Sequence, residues 1–403
     1  MPFIPIRPGG PIERFDMEVF EKLQATNSNS PCLNVRTGPP SVGRSQRRGK
    51  AILGKRPATG RSLSDAAGDR NTRLRGGGAT ISLILPVLAS CTGPQSMFRA
   101  AGTEADSIAN LFYVMLVGSA VIWLGVIGLS LYAVRATPAK NGARRGVQLI
   151  VWGGCVFPTV VLALLLVWGL EKMPDYRRPA DGPTIAVSGE RFWWRVAYGL
   201  QGEPGVVKSL PSGGVESANE IWIPVGRRTE ILLGSPEVIH SFCVPALAGK
   251  MDAIPGRVNR IILEPTVEGV YNGVCAEFCG EAHAQMGLRV IAVPEADYAA
   301  HVEAQAQPAS VVSGTGYEAF LASGCGACHT VRGTPANGSV GPDLTHVASR
   351  RTIGAGLLET SEENLARFIR ATDHIKPGVE MPEFGVLPDE EIAAIASWLG
   401  ELR

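Results

Sequence analysis

The stretch "VCAEFCGEAHAQM", residues 274–286, contains two cysteines, a histidine and a methionine. Cys275, Cys279 and His283 are spaced four residues apart, and Met286 follows three residues later. Upstream, "SPEVIHSFCVP" supplies a second imidazole at His240. Thiolates, imidazoles and a thioether are soft ligands that suit copper. The pattern therefore predicts a metal centre that joins a distant histidine to one short segment.

The number of cysteines decides which copper chemistry is expected. One cysteine, two histidines and a weak methionine would make a blue-copper site. A second thiolate allows two copper ions to be bridged and to share one unpaired electron, so that their geometry hardly changes between redox states. Three alternatives stay open here: a Cys275–Cys279 disulfide in an oxidising compartment, a zinc site that would leave Met286 without a role, and unliganded core residues.

A second motif lies near the C-terminus, in "SGCGACHTVRG". Cys325, Cys328 and His329 form the C-x-x-C-H pattern of covalent haem c attachment. Two thioether links hold the porphyrin, and the adjacent histidine is placed to ligate the iron. A thioredoxin-like redox motif is the alternative for a bare C-x-x-C, but the histidine and the lack of a βαβ pattern argue against it.

A low-spin electron-transfer haem needs a sixth ligand, and methionine raises its potential. Met381 is the only methionine after His329, and His346 and His374 are the competing candidates. The segment resembles class I cytochrome c, with C-x-x-C-H, "GPDLTHV" at 341–347 and "MPEF" before a terminal helix. This resemblance implies Met381 as the axial ligand. We interpret the two histidines as surface or propionate-side residues.

Two uncharged apolar runs, Leu111–Val134 and Val147–Leu170, are long enough to span a bilayer. A buried core hairpin is the alternative, which two such long runs disfavour. The connection between them contains four basic residues and no acid, which predicts a cytoplasmic loop and extracytoplasmic outer flanks. These residues are Arg135, Lys140, Arg144 and Arg145.

The N-terminal region has two parts. Residues 1–72 are rich in Arg, Gly, Pro and Ser without apolar periodicity, which indicates disorder or an over-long translation start. Residues 73–91 have the layout of a signal peptide, with basic residues followed by an apolar stretch. Its end, Leu-Ala-Ser-Cys91, resembles a bacterial lipobox, in which the cysteine is lipidated. A chance cysteine is the alternative.

The remaining chain divides by composition. We expect a transmembrane helix hairpin at 105–171, and an all-β sandwich at 174–301 where short β-branched and aromatic runs are broken by turn residues. Small residues at 302–316 predict a linker. Residues 317–403 read as helices and loops and end in an amphipathic helix with Pro388 and Asp389 near its start. Near-equal counts of 38 basic and 37 acidic residues argue against nucleic-acid binding.

From about residue 91 to 403, the chain resembles subunit II of haem-copper cytochrome c oxidases, and more closely the caa3 type with a fused cytochrome c. The resemblance rests on His240, on "KMDAIPGR" at 250–257 and on the ligand segment 275–286. It implies a cupredoxin-like sandwich with a binuclear CuA centre, and an all-α class I cytochrome c domain.

The resemblance also implies a role for each ligand. Cys275 and Cys279 would bridge both coppers. His240 and Met286 would complete one copper's shell, and His283 and the carbonyl of Glu277 the other's. The Glu277 side chain would help to hold Mg²⁺ at the boundary with subunit I, where a solvated loop residue is the alternative.

The implied function is electron transfer in a bacterial cell membrane. A cytochrome c or an upstream respiratory complex would reduce haem c, haem c would reduce CuA, and CuA would pass electrons to subunit I for oxygen reduction and proton pumping. One alternative is the CuA-bearing subunit of a nitric oxide reductase. Another is a membrane-anchored metal or haem sensor. Such a sensor would need a cytoplasmic signalling domain, for which the short cytoplasmic loop leaves no room. A quinol oxidase subunit is disfavoured because such subunits lack these copper ligands.

The stretch "ERFWWRV" departs from the family pattern. The aromatic patch where electrons enter usually begins with Trp, and Phe192 aligns there, followed by Trp193 and Trp194 as the entry candidates. A tethered cytochrome tolerates this change because a high local concentration replaces encounter affinity. Core packing on a strand is the alternative for both tryptophans. Near the second span Gln148 stands where many relatives have Glu, so no proton role is expected.

Overall fold

The structure is a computed structural model that describes residues 93, 95–135, 142–173, 178–200, 210–211 and 213–403. The predicted N-terminal region 1–72 and the signal segment 73–91 with Cys91 lie outside the described residues.

Two long helices follow the two apolar runs. Helix α1 covers Thr103–Arg135. The second helix consists of α2 (Gly142–Leu149), a π-helical stretch (Ile150–Val156) and α3 (Phe157–Glu171). Both are long and apolar enough to cross a membrane, and no residue of their apolar windows is buried by the rest of the described chain. Such exposed apolar surfaces are typical of contact with lipid or with another subunit.

The entrance to α1 is attached to the β-domain. The Ala101 amide donates a hydrogen bond to the Ala246 carbonyl at 2.7 Å, and the Thr103 amide donates to Glu264 at 3.1 Å. Gly102 lies so close to the backbone of Leu247 that a Cβ there would overlap it. The first membrane helix is therefore joined directly to the domain that follows the hairpin.

The strands of the β-domain are β1 (Thr184–Glu190), β2 (Trp193–Tyr198), β3 (Val215–Ala218), β4 (Glu220–Pro224), β5 (Thr229–Gly234), β6 (His240–Cys243), β7 (Lys250–Ala253), β8 (Asn259–Leu263), β9 (Gly269–Cys275) and β10 (Gly287–Val293). Within the described residues they form two five-stranded sheets. One sheet has the order β3-β2-β1-β5-β8 and the other β4-β10-β9-β6-β7, and all paired neighbours are antiparallel except β1–β5 and β4–β10. The predicted all-β sandwich is confirmed.

Strand β2 shows how the sequence produces the sandwich core. Its side chains alternate between partly exposed and buried, as a strand with one buried face requires. Trp194, Val196 and Tyr198 are fully buried, and Arg195 lies on the opposite face. The two cysteines and the methionine of the ligand segment belong to the same buried cluster.

Helix α4 (Glu295–Ala306) follows the last strand. Tyr298 and Val302 pack against the sandwich core, and the His301 ring stacks on Trp222 with centroids 4.1 Å apart. The helix extends into the predicted linker 302–316, so irregular chain covers only 307–314 of that interval. The apolar side of α4 explains this extension.

The C-terminal domain is mostly helical. Helices α5 and α8 cross where Tyr317 and Phe320 contact the ring of Trp398. Gly316 permits the approach, because a Cβ there would overlap the Ala394 carbonyl. The predicted terminal helix is present, directly after Pro388. The elements are α5 (Thr315–Ala322), β11 (Thr352–Ile353), β12 (Leu358–Glu359), α6 (Glu362–Arg370), α7 (Thr372–Ile375) and α8 (Asp389–Glu401).

We expect Gly316→Val to loosen the α5–α8 crossing and to destabilise the C-terminal domain by about 1–3 kcal/mol, because an added side chain must push the helices apart. Hydrogen exchange of the α8 amides measures this local stability. Ala322→Val, at an exposed position on the same helix, is the control. Equal protection of α8 in the two variants would contradict the role of the crossing.

Candidate metal centres

The first candidate centre lies between β9 and β10, at one end of the second sheet. Strand β9 ends at Cys275 and β10 begins at Gly287, so the ligand segment is the connection between them. Strand β6 pairs with β9, with Phe242 opposite Cys275. This pairing places His240, which is 35 residues earlier in the chain, beside the segment.

Two thiols form the middle of this centre. The sulfur atoms of Cys275 and Cys279 are 3.9 Å apart, and both cysteines are free. Together with His240 they form a buried group whose ligand atoms all lie within 4.8 Å of one another. The separation leaves space for metal between the sulfurs, and it is not that of a disulfide, which has about 2.05 Å between sulfurs.

The other predicted ligands surround the two thiols. His240 Nδ1 is 3.8 Å from Cys275 Sγ, and the carbonyl oxygen of Glu277 is 3.2 Å from the same sulfur. Cys279 Sγ lies 3.6 Å from His283 Nδ1 and 3.9 Å from Met286 Sδ. The five side chains predicted for copper and the Glu277 carbonyl are thus brought together.

The electrostatics of the thiol pair favour one negative charge and oppose a second. The pKa of Cys275 is lowered, mainly by its hydrogen bond with Cys279. The pKa of Cys279 is raised because its proton is held by Cys275 and because the site is buried. A cation that replaces this proton would allow both sulfurs to ionise.

Neighbouring glycines leave room for the ring ligands. A Cβ on Gly189 would lie 2.7 Å from the His240 ring, so only glycine fits on that part of β1. Behind the centre, Trp194 is in edge-to-face contact with His240 at 6.0 Å between centroids. His240 Nε2 is buried and has no hydrogen-bond partner among the described residues. Only Nδ1 of this ring points at the sulfurs.

The donor set fits copper better than the alternatives from the sequence. Two thiolates, two imidazoles, a thioether and a carbonyl are a soft set with more donors than tetrahedral zinc uses. The thioether of Met286 is 1% exposed and lies against Cys279, a position that a zinc site would leave unused.

Glu277 has a different environment from the other predicted ligands. Its side chain is about half exposed, and its carboxylate is 3.8 Å from Lys250 Nζ. Lys250 in turn lies 3.3 Å from Asp252. The carboxylate therefore points away from the thiols, while the backbone carbonyl of the same residue points at them.

The second candidate centre lies in the C-terminal domain around His329. Its Nδ1 forms a hydrogen bond of 2.8 Å with the Pro342 carbonyl, so Nδ1 carries the proton and Nε2 is left as the free ligand atom. A Cβ on Gly341 would lie 2.5 Å from this ring, so the glycine makes room for it. Burial lowers the pKa of His329 and keeps the imidazole neutral, as an iron ligand must be.

The remaining haem candidates are placed on the same domain. Cys325 starts a 3₁₀ turn that ends before Cys328, and both thiols are free. Cys325 and Met381 are partly buried against the same apolar cluster. His346 is buried and bonded to the Gln307 carbonyl at 3.0 Å, so it lies inside the domain and not on its surface. His374 is exposed.

The two tryptophans of "ERFWWRV" have different environments. Trp194 is fully buried and does not reach a surface where a protein could dock. Trp193 is partly exposed and is covered by the Arg195 guanidinium, 4.7 Å from the ring centroid. Arg195 also donates a 2.8 Å hydrogen bond to the Ser339 carbonyl in the C-terminal domain.

Two residues that sequence analysis did not single out connect the domains. The Glu220 carboxylate is 3% exposed and accepts hydrogen bonds from the amides of Arg351 and Thr352 at 2.7 and 3.2 Å. Lys376 is 2% exposed, and burial lowers its pKa to about 7. Neither residue belongs to a sequence motif. The available signal for a buried contact was weak: Glu220 is a charged residue in an apolar strand, and Lys376 is a charged residue in a loop.

Two family models match different parts of the chain. The model of the cytochrome c oxidase subunit II periplasmic domain matches residues 207–293. The cytochrome c family model matches residues 313–403. The first match includes the whole ligand segment together with His240, and the second includes the C-x-x-C-H motif and Met381.

Several relatives carry the same family name. Cytochrome c oxidase subunit 2 of Alkalihalophilus pseudofirmus is 33% identical over 265 residues, which are 63% of this chain and 72% of that protein. The alternative cytochrome c oxidase subunit 2 of Bradyrhizobium diazoefficiens is 30% identical over 50% of this chain and 79% of its own. The solved periplasmic domain of subunit II from Bradyrhizobium japonicum covers 32% of this chain and 94% of its own, at 30% identity and a TM-score of 0.27.

The chain therefore belongs to the cytochrome c oxidase subunit II family and carries a cytochrome c domain at its C-terminus. It is an electron-transfer subunit of a haem-copper oxidase, with copper implied for the sandwich and haem for the C-terminal domain. The predicted order of membrane hairpin, β-sandwich and helical cytochrome domain is confirmed.

We expect Gly189→Ala to displace the His240 ring and to weaken copper binding, because the added Cβ would lie 2.7 Å from it. The strain from one extra methyl group in a packed core is about 1–3 kcal/mol, which corresponds to a loss of affinity between about fivefold and about 150-fold. Copper titration followed by EPR measures this loss. Ser188→Ala, on the same strand, is the control, and unchanged copper affinity in Gly189→Ala would contradict the close fit.

Proposed function

We propose that this chain is the CuA- and haem c-bearing subunit II of a caa3-type oxidase in a bacterial cell membrane. The observation that carries the proposal is the buried pair of free thiols, 3.9 Å apart, surrounded by two imidazoles, a thioether and a carbonyl. Among soft metal sites, a second bridging thiolate is what distinguishes a copper pair from a single blue copper.

In the sandwich, Cys275 and Cys279 would bridge two coppers. His240 and Met286 would complete one shell, and His283 with the Glu277 carbonyl the other. The protein's contribution is to hold these donors in one arrangement and to exclude water: the sulfurs and the thioether are each at most 6% exposed. A fixed, dry donor set keeps the reorganisation small when the charge at the site changes.

In the cytochrome domain, Cys325 and Cys328 would form the thioether links. His329 would ligate the iron through Nε2, with its ring oriented by the Pro342 carbonyl. Met381 would supply the opposite ligand from the loop after α7. When bound, haem c and the copper pair would each accept and release one electron, the haem receiving it first.

The direction of transfer follows from the partners that we propose. An external cytochrome c or an upstream respiratory complex would supply electrons to the cytochrome domain. Subunit I would receive them below the sandwich, and its oxygen chemistry and proton pumping would make the complex a cytochrome-c oxidase. We place Mg²⁺ at the Glu277 carboxylate, on the boundary with subunit I, where its present neighbour is Lys250.

The proposed location rests on the two apolar helices and the basic segment that connects them. Arg144 and Arg145 in α2 lie at one end of the hairpin, and these basic residues support a cytoplasmic position for that end. Both metal domains follow α3 and would lie outside the cell membrane. Lipidation of Cys91 and cleavage of 73–91 would add a second anchor on the same side.

The proposed copper centre is tested by metal analysis and EPR of the full chain purified in detergent. We expect two coppers per chain and hyperfine structure from one electron shared over two copper nuclei. Cys279→Ser should abolish this signal, because one bridge is lost. Cys243→Ser, whose thiol is free and outside the donor set, should keep it. A single-copper spectrum, or zinc retained against copper, would exclude CuA.

The axial role of Met381 has its own test. Met381→Leu should lower the midpoint potential of the haem, because a thioether ligand raises it, while the covalent attachment through the cysteines remains. Spectroelectrochemical titration of the full chain measures the potential. Met251→Leu, in the sandwich, is the matched control. An unchanged potential in Met381→Leu would assign the sixth ligand to another residue.

A further inference from the structure

The ligand segment between β9 and β10, here called the copper-ligand loop, meets the cytochrome domain in a docking seam. We define the docking seam as residues 281–287 of the sandwich with residues 354–355 and 376–380 of the cytochrome domain. Lys376 lies in its middle: Nζ donates hydrogen bonds to the Gln285 carbonyl at 3.1 Å and to the Gly354 carbonyl at 2.7 Å. One ammonium therefore connects the copper-ligand loop to the cytochrome domain.

Close backbone contact surrounds this lysine. The Gly287 amide donates a 3.0 Å hydrogen bond to the Ala355 carbonyl. A Cβ on Gly287 would lie 2.9 Å from that carbonyl oxygen, so the two backbone segments are in direct contact with no side chain between them. Val379 packs against the sandwich core, and Glu380 lies 3.4 Å from the Arg191 guanidinium.

The position of the seam relative to the proposed ligands gives it a functional meaning. On the sandwich side, Gln285 and Gly287 flank Met286. On the cytochrome side, Val379 and Glu380 directly precede Met381. The two loops in contact are thus the loops that carry the methionine ligands of the two centres.

Burying an ammonium is costly unless its donors are used. Lys376 is 2% exposed, and its Nζ donates to two carbonyls that belong to different domains. The Cys279 sulfur also interacts electrostatically with this lysine. The lysine meets all of these partners together only when the two domains are docked, so it favours one docked arrangement.

We propose that Lys376 is a positioning residue that fixes the Met381 loop against the copper-ligand loop, so that electrons cross between the two centres in one docked geometry without domain movement. This inference rests on the proposed function. The step concerned would move one electron from haem c to the copper pair; no bond would form or break, and no proton would move. Lys376 would act by holding the two loops together.

The test uses the purified oxidase complex with Lys376→Met in the full chain. Hydrogen exchange at the Gly287 amide reports the seam directly and requires no turnover. We expect exchange to become about tenfold faster or more, because the local opening free energy falls when the lysine is lost. Arg367→Met, at a cation of helix α6 outside the seam, should leave this exchange unchanged.

Electron transfer from haem to copper after photoreduction supplies the second readout. In the unaltered complex the rate should be independent of solvent viscosity. In Lys376→Met we expect the rate to fall by about tenfold or more. The remaining rate should decrease as viscosity rises, because domain motion then limits the step. Lys376→Arg should restore part of both properties, since its guanidinium can still donate to the two carbonyls.

The outcomes separate this inference from the proposed function. Absence of the CuA EPR signal in the unaltered complex would reject the proposed function, whatever the lysine does. Intact copper and haem spectra in Lys376→Met, with unchanged Gly287 exchange and a viscosity-independent rate, would overturn the positioning role alone. Where Lys376→Met does not fold, Gly287→Ala tests the seam by steric means: unchanged rate and viscosity dependence would again overturn the inference.

Discussion

Two sulfur atoms held 3.9 Å apart in a buried site cannot both carry a negative charge unless a cation lies with them. The first charge is easily accommodated, and the second is opposed by the first and by burial. A metal centre satisfies this constraint by replacing the remaining proton. The surrounding architecture is arranged around it: β6 and β9 place a histidine beside one sulfur, a 3₁₀ turn places a second histidine beside the other, and a glycine on β1 leaves room for a ring.

The attachment of the second domain meets a further requirement of an electron-transfer subunit. Electrons pass efficiently between two centres only when the centres are close together and held in a fixed arrangement. Polar contacts connect the two domains, and the most buried of them involve two charged residues. Glu220 binds two amides of the cytochrome domain, and Lys376 binds a carbonyl on each side. Each of these buried groups finds its partners only in the docked arrangement, so together they specify one relative position of the domains.

Much of this organisation could be predicted from residues that form local patterns. The ligand spacing from Cys275 to Met286, the C-x-x-C-H motif and the uncharged apolar runs are each contained in one short window. His240 was a candidate by residue type, and the family resemblance then gave it a role, since no local pattern connects it to a segment 35 residues away. The difference between the two tryptophans was not predicted, although strand alternation places Trp193 on the face of Arg195 and Trp194 inside. The docking residues could not be predicted, because a single lysine or glutamate in a loop or strand does not show what will cover it.

The connection between β9 and β10 is also nearly self-sufficient. Within twelve residues it provides both sulfurs, the thioether, one imidazole and the carbonyl, and the rest of the sandwich adds only the ring from β6. Such a segment is a transferable unit. An unrelated β-sandwich with a histidine on the strand next to a hairpin of similar width could host the same donors, so the donor set belongs mainly to the hairpin and not to the fold as a whole. Evolution could therefore exchange or lose the centre by editing one loop while the surrounding sheets remain unchanged.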